Sequence, residues 1–194
     1  MRVDEYLYFS GMTKRWKLAL LVFFTVILVL VASGAFLRMN TKKHSPVDKI
    51  TYAKGDIEIT IVYCQPAKKG RLIFGEEADE ALQPWGEYWR LGANEATTFK
   101  SNTDVKIGDH HLPAGFYSIY AVPGKDTWKI SINSAAKRWG YAEPNYDKDI
   151  LTISVPVTYS DQVMELFTMT FEPTDTGADL VMHWDTSIVK VPLR

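Results

Sequence analysis

Cysteine is almost missing from this chain: among 194 residues only Cys64 carries a thiol. One thiol excludes an intramolecular disulfide, and no paired cysteines mark a metal knuckle. Histidine is scarce as well, with four copies, and neither HxH nor HExxH spacing occurs. The three or four convergent ligands that a metal site needs are therefore not supplied. His110-His111 does not fill the gap, because neighbours on extended chain point to opposite faces; the pair reads as part of a turn over 108–113. His183-Trp184-Asp185 reads as a strand end. No phosphate loop, dinucleotide fingerprint or GxSxG elbow is present, so Ser118 and Ser131 lack a nucleophile's setting. No cofactor, metal or catalytic residue is expected. Past residue 37, eighteen Lys and Arg face twenty-one Asp and Glu without a basic stripe, which argues against nucleic acid as a partner. There is no internal repeat and no low-complexity stretch.

Charge is missing from one place in particular. Residues 18–37 (LALLVFFTVILVLVASGAFL) run without an ionisable side chain. At ~1.5 Å rise per residue, a helix of that length spans ~30 Å, the hydrocarbon thickness of a bilayer. Lys14, Arg15, Trp16 and Lys17 precede it, and Arg38, Lys42 and Lys43 follow, suiting headgroup depth. The sequence thus predicts a signal anchor at 18–37 with the lipid bilayer as its partner, after a short cytoplasmic segment at 1–17. A polar, Pro-containing linker at 38–49 then leads to a domain at 50–194. The competing expectation is a cleaved signal peptide, with small residues near Gly34 or Ala35 for the peptidase and a secreted or periplasmic product. Positive charges on the two flanks nearly balance, so orientation rests on the export tendency of a first apolar segment. That places the domain outside the cytoplasm.

Long helical periodicity is absent from the remainder. In Asp56-Ile57-Glu58-Ile59-Thr60-Ile61-Val62-Tyr63 the isoleucines share one face, as in a half-buried strand. Similar runs occur at 71–74, 96–100, 105–107, 116–122, 128–133, 150–155, 163–171, 179–183 and 188–191. Gly, Pro and Asn turn signals separate them. The acidic run at 76–82 reads as a solvated face rather than a two-turn helix. About nine or ten short strands predict an all-β fold, an antiparallel β-sandwich behind one transmembrane helix.

Tryptophan is abundant: five of the six lie in the domain, at Trp85, Trp89, Trp128, Trp139 and Trp184. Trp128 and Trp184, on or beside strands, suit the core. Trp139 and Tyr141, in a loop, suit exposure. Trp85 and Trp89 flank the densest polar motif, Trp89-Arg90-Leu91-Gly92-Ala93-Asn94-Glu95-Ala96-Thr97. Arg90 offers a planar donor fork, Asn94 a donor and an acceptor, and Glu95 acceptors alone. Three readings stay open. Arg90, Asn94 and Glu95, walled by Trp85 or Trp89, form a pocket for a polar ligand such as a glycan or peptide. Or Arg90 and Glu95 make a buried ion pair with Asn94 bonding a turn, and the domain serves protein–protein contacts or envelope assembly. Or Glu95 or Glu87 supplies a hydrolase carboxylate.

These motifs resemble the bacterial domain of unknown function 2911, found largely in Bacteroidetes. Its WRxGANEAT core matches residues 89–97, its KGRxIFG element residues 69–75, and the LPAGxY of its GxxLPAGxY segment residues 112–117, within 108–117, where this chain has one residue more after the Gly. The resemblance covers roughly 45–156. It implies a β-rich exported domain behind a signal or anchor, with no established activity. The chain departs from the family at Tyr63-Cys64-Gln65-Pro66, where Tyr-Ser-Arg-Pro is usual, and at Leu91, where Thr is common.

Overall fold

The computed structural model describes residues 13–194, so most of the segment at 1–17 lies outside the described residues. By contact it divides into two units, one ending at Lys43 and one spanning His44–Arg194. The first is helix α1 (Lys14–His44), whose apolar side chains are exposed on every face. Its stretch Lys14–Leu37 is long and apolar enough to cross a membrane. Thr25, the first hydroxyl in that stretch, donates to the Leu21 carbonyl at 2.7 Å, which satisfies it without water. The linker expected at 38–49 is corrected in both halves. Nothing from Arg38 to Lys43 breaks a helix, and Pro46 is what stops it by restricting the residue before. Strand β1 (Val47–Lys54) then opens at once. It was missed because it is an edge strand with one buried side chain, Tyr52, and so carries little alternation.

The second unit is the antiparallel β-sandwich. Strands β1, β2 (Ile57–Cys64), β5 (Thr98–Ser101), β8 (Gly115–Val122), β9 (Thr127–Asn133), β10 (Asp149–Pro173), β11 (Ala178–Leu193), β6 (Val105–Ile107) and β7 (His110–Leu112) follow one another in that order. A short parallel pair, β3 (Phe74–Gly75) and β4 (Gln83–Pro84), stands beside them. Ile59, Ile61 and Tyr63 of β2 are buried while Glu58 is exposed, the alternation expected of the sequence.

Strand β10 makes the two layers. Up to Pro156 it pairs with β9; from Val157 onward it pairs with β11. The sequence splits β10 and β11 into two runs each, because Tyr159 to Gln162 and Asp185 look like loop. Register shifts between Tyr159 and Thr168, and a left-handed Asp185 (φ +54°), absorb those residues instead. Two smaller corrections concern local pairing. Of the run 71–74 only Phe74 is strand, and His110-His111 belongs to a β6–β7 hairpin rather than a turn. The acidic run keeps its solvent face, with one 3-10 turn at Glu77–Asp79.

The layers close on aromatic contacts and a few buried polar ones. Tyr52 packs on Phe171 (ring centroids 5.7 Å) and donates to the Gly177 carbonyl at 2.9 Å. Tyr63 packs edge-on against Phe167, and its hydroxyl accepts from the Met169 amide at 2.9 Å and donates to Asp48 at 3.1 Å. Burial first, and the Asp48 carboxylate with it, push the Tyr63 hydroxyl up to about 12.

The burial of this hydroxyl gives a pH signature. The folded pKa lies above the unfolded value near 10, so the stabilisation is complete below about pH 10 and is lost as pH rises through about 12. Tyr63→Phe leaves the Met169 amide unsatisfied. It should lower stability by about 1–2 kcal/mol at neutral pH and shrink the alkaline loss. Urea melts at pH 7.5 and above pH 10 would show both effects.

Candidate functional site

The motif at 89–97 forms a loop whose backbone is set by its contacts. Trp89 exchanges two 2.8 Å backbone bonds with Ala121, pinning the loop to β8. Its side chain turns into the core and its indole N–H donates to the Gly92 carbonyl at 3.2 Å. Leu91 (φ +53°) and Asn94 (φ +60°) take left-handed conformations, and Gly92 sits at φ +143°. Leu91 is wholly buried, and the Thr97 hydroxyl donates to its carbonyl, so packing offsets its strain. Gly92 lies on the backbone of Cys64: a Cβ there would stand 2.8 Å from the Cys64 carbonyl oxygen. The buried Asn94 amide reaches the Cys64 sulfur at 3.8 Å.

A second segment locks the far side of the loop. Gly140 donates to the Asn94 carbonyl at 3.0 Å and Ala96 to the Arg138 carbonyl at 3.2 Å, while Glu95 pairs with Trp139 through an isolated bridge. Arg138 donates to the Tyr88 hydroxyl at 2.6 Å and to the Ala142 carbonyl at 2.6 Å. Arg90 extends beneath Gly140, donates to the Asn94 carbonyl at 3.5 Å, and lies 5.9 Å from the Tyr141 ring centre. Burial lowers the Arg90 pKa below the usual guanidinium range, and no carboxylate is among the groups acting most strongly on it. Burial likewise raises Tyr88, against the pull of the nearby Arg138 and Arg90 charges.

Beside this loop opens a cleft of about 330 Å³, lined by Lys69, Arg71, Gln83 and Arg90, and by Trp89 and Trp184. The stretch 66–71 contributes Pro66, Ala67, Lys69 and Arg71 to its lining. There Phe167 donates to the Pro66 carbonyl, Lys68 to the Glu165 carbonyl, and the Lys69 amide to the Glu165 carboxylate. An ion pair between Lys68 and Asp185 ties the stretch to the β11 bulge. Arg71 caps its own turn, donating to the Lys68 carbonyl at 3.0 Å and to the Ala67 carbonyl.

Of the five site residues expected from sequence, the cleft therefore takes two, Arg90 and Trp89. Trp85 is half-buried in the loop after β4, bonded through its amide to Gly75, and does not line it. Asn94 and Glu95 do not line it: the Asn94 side chain turns to Cys64 while its carbonyl accepts from Gly140, and Glu95 bridges Trp139. Glu87 is exposed and outside the cleft. Trp139 and Tyr141 are exposed, at 47% and 78%. Lys69, Arg71 and Gln83 line the cleft without having been singled out from sequence; two cations around a Gly turn in Lys69-Gly70-Arg71 were the available signal. Among the described residues no group of three His, Cys, Asp or Glu converges.

A family model described as "Protein of unknown function (DUF2911)" matches residues 45–193. The match runs past the motifs through β10 and β11, so it takes in both layers of the sandwich. No curated protein and no solved structure matches the chain.

Gly92 is the position where the loop tolerates least. Gly92→Ala puts a side chain in a conformation that L residues rarely adopt and against the Cys64 carbonyl. A loss of about 2 kcal/mol or more is expected in thermal or urea unfolding, against little change for Ala93→Ser at the half-buried neighbour.

Proposed function

We propose a binding function on the premise that this chain belongs to the DUF2911 family, whose model spans nearly the whole sandwich. The protein is a membrane-anchored, non-enzymatic module that holds its sandwich outside the cytoplasm and takes a polar ligand, a glycan or a peptide, in the cleft beside the Trp89 loop. One observation carries this reading. Arg90, half-buried and donating among the described residues to one carbonyl, at 3.5 Å, opens onto a cleft that two tryptophans also line. A volume of about 330 Å³ lies within the ~300–1,000 Å³ of small-molecule pockets. With one long bond to a carbonyl, the Arg90 fork retains donors for a ligand. Glu95 and Glu87 stand away from the cleft, which favours binding over hydrolysis.

A second reading has its own support. Trp139 and Tyr141 stand exposed on one loop that clasps the motif, a surface suited to an envelope protein.

The full chain in lipid nanodiscs, screened on glycan and peptide arrays, tests the first reading. Arg90→Ala should weaken a ligand so found at least about tenfold, about 1.4 kcal/mol, with the melting curve unchanged. Undiminished binding by Arg90→Ala, with loss on Trp139→Ala instead, would favour the second. A reporter enzyme active only outside the cytoplasm, fused after Arg194, should be active; an inactive fusion would reverse the orientation.

A further inference from the structure

We infer that the ligand group bound in the cleft is an oxyanion, a carboxylate or phosphate held between Arg90 and the Lys69–Arg71 turn. This rests on reading the cleft as a binding site and adds the chemical class. Three cations reach the cleft from two separate segments, and among the described residues no Asp or Glu lines it. The acids nearest along the walls are already engaged. Asp185 pairs with Lys68, outside the cleft, and the Glu165 carboxylate accepts from the Lys69 amide. The acidic run Glu76 to Glu80 is exposed to solvent beyond Gly75 and does not line the cleft.

The guanidiniums are placed but not neutralised. Arg71 is oriented by the Lys68 and Ala67 carbonyls, and Arg90 by the Asn94 carbonyl. Carbonyl oxygens fix direction while leaving the positive charge uncompensated. Arg90 is also partly desolvated, which disfavours its bare charge. An oxyanion reverses that cost, and its paired oxygens match the parallel N–H groups of a guanidinium fork. The turn that presents Lys69 and Arg71 is made by left-handed Lys69 (φ +50°) and Gly70 (φ +70°), and its backbone is tied to Glu165 through the Lys69 amide.

The test uses the full chain in zwitterionic nanodiscs, with Trp89 and Trp184 in the lining as fluorescent reporters and calorimetry alongside. D-glucuronate and inorganic phosphate are the anionic probes and D-glucose the neutral one, each titrated to about 20 mM, since single groups bind weakly. One anion or both should bind saturably while glucose does not, and the stronger of the two names the source of the oxyanion. Affinity should fall severalfold between about 50 and 500 mM NaCl, as screening of partly exposed charges requires. Arg71→Gln and Lys69→Gln should each weaken binding about five- to tenfold, while Lys106→Glu, exposed and outside the cleft, should leave it unchanged. Because Arg71 also ties its own turn, the exposed Lys69 is the cleaner variant. Glucose binding as well as glucuronate, or binding indifferent to Lys69→Gln, would overturn the oxyanion while leaving a neutral-ligand cleft in place. If neither anion binds, and an array ligand lost on Arg90→Ala proves uncharged, the oxyanion is likewise overturned and the binding reading stands.

Discussion

The packing of Trp89 is the interaction on which the other features of the domain depend. Its ring lies nearly parallel to Trp184 of β11 (5.6 Å, 20°) and edge-on to Trp128 of β9 (5.5 Å, 87°). Phe167 of β10 and Phe74 of β3 close the remaining sides at 4.8 and 5.4 Å. These partners come from both layers and from the parallel pair, so one side chain from a loop touches all three. Offset and edge contacts of this kind add about 0.5–1.5 kcal/mol per pair to burial itself. Without disulfides, such a cluster is the means by which a sandwich of this size fixes its layer spacing.

The shape of the motif loop follows from that anchor. With Trp89 sunk in the core and bonded to Ala121, the chain must reverse over Cys64 within a few residues. Leu91, Gly92 and Asn94 accomplish this with left-handed or glycine-only backbone, and buried hydrogen bonds hold the strained conformations. Gly140 is needed for a related reason, since a Cβ there would meet the Arg90 side chain at 2.6 Å. The reversal brings Arg90 out beside the aromatic lining, and the Lys68–Asp185 pair brings the stretch 66–71 to it. The cleft is the space left between two loops that are each fastened to the same aromatic core.

Much of this was legible in the order of residues. The uncharged run at 18–37 is local and long enough to declare itself, and α1 covers it. Alternation in β2, β8 and β9 is equally local, because one face of each strand is buried. Cores for Trp128 and Trp184, and exposure for Trp139 and Tyr141, followed from strand and loop context. Legibility failed where burial did not follow local pattern. Edge strand β1 buries little, bulges disguised β10 and β11 as broken runs, and Trp89 is buried although it sits in a polar loop.

What the sequence alone determined is the class of the molecule: an apolar helix, an all-β domain, and a motif specific enough to mark the family. These depend on hydrophobic period, turn chemistry and residue identity, which act over a few neighbouring positions. The tertiary structure alone decided which residues line the cleft. Whether Arg90 meets Glu95 or a cleft, and whether Lys69 and Arg71 stand near it, depends on which distant backbones the loop is packed against. Contacts between residues about twenty or more positions apart, and between β2, β8, β10 and β11, set that placement, and no local spacing encodes it.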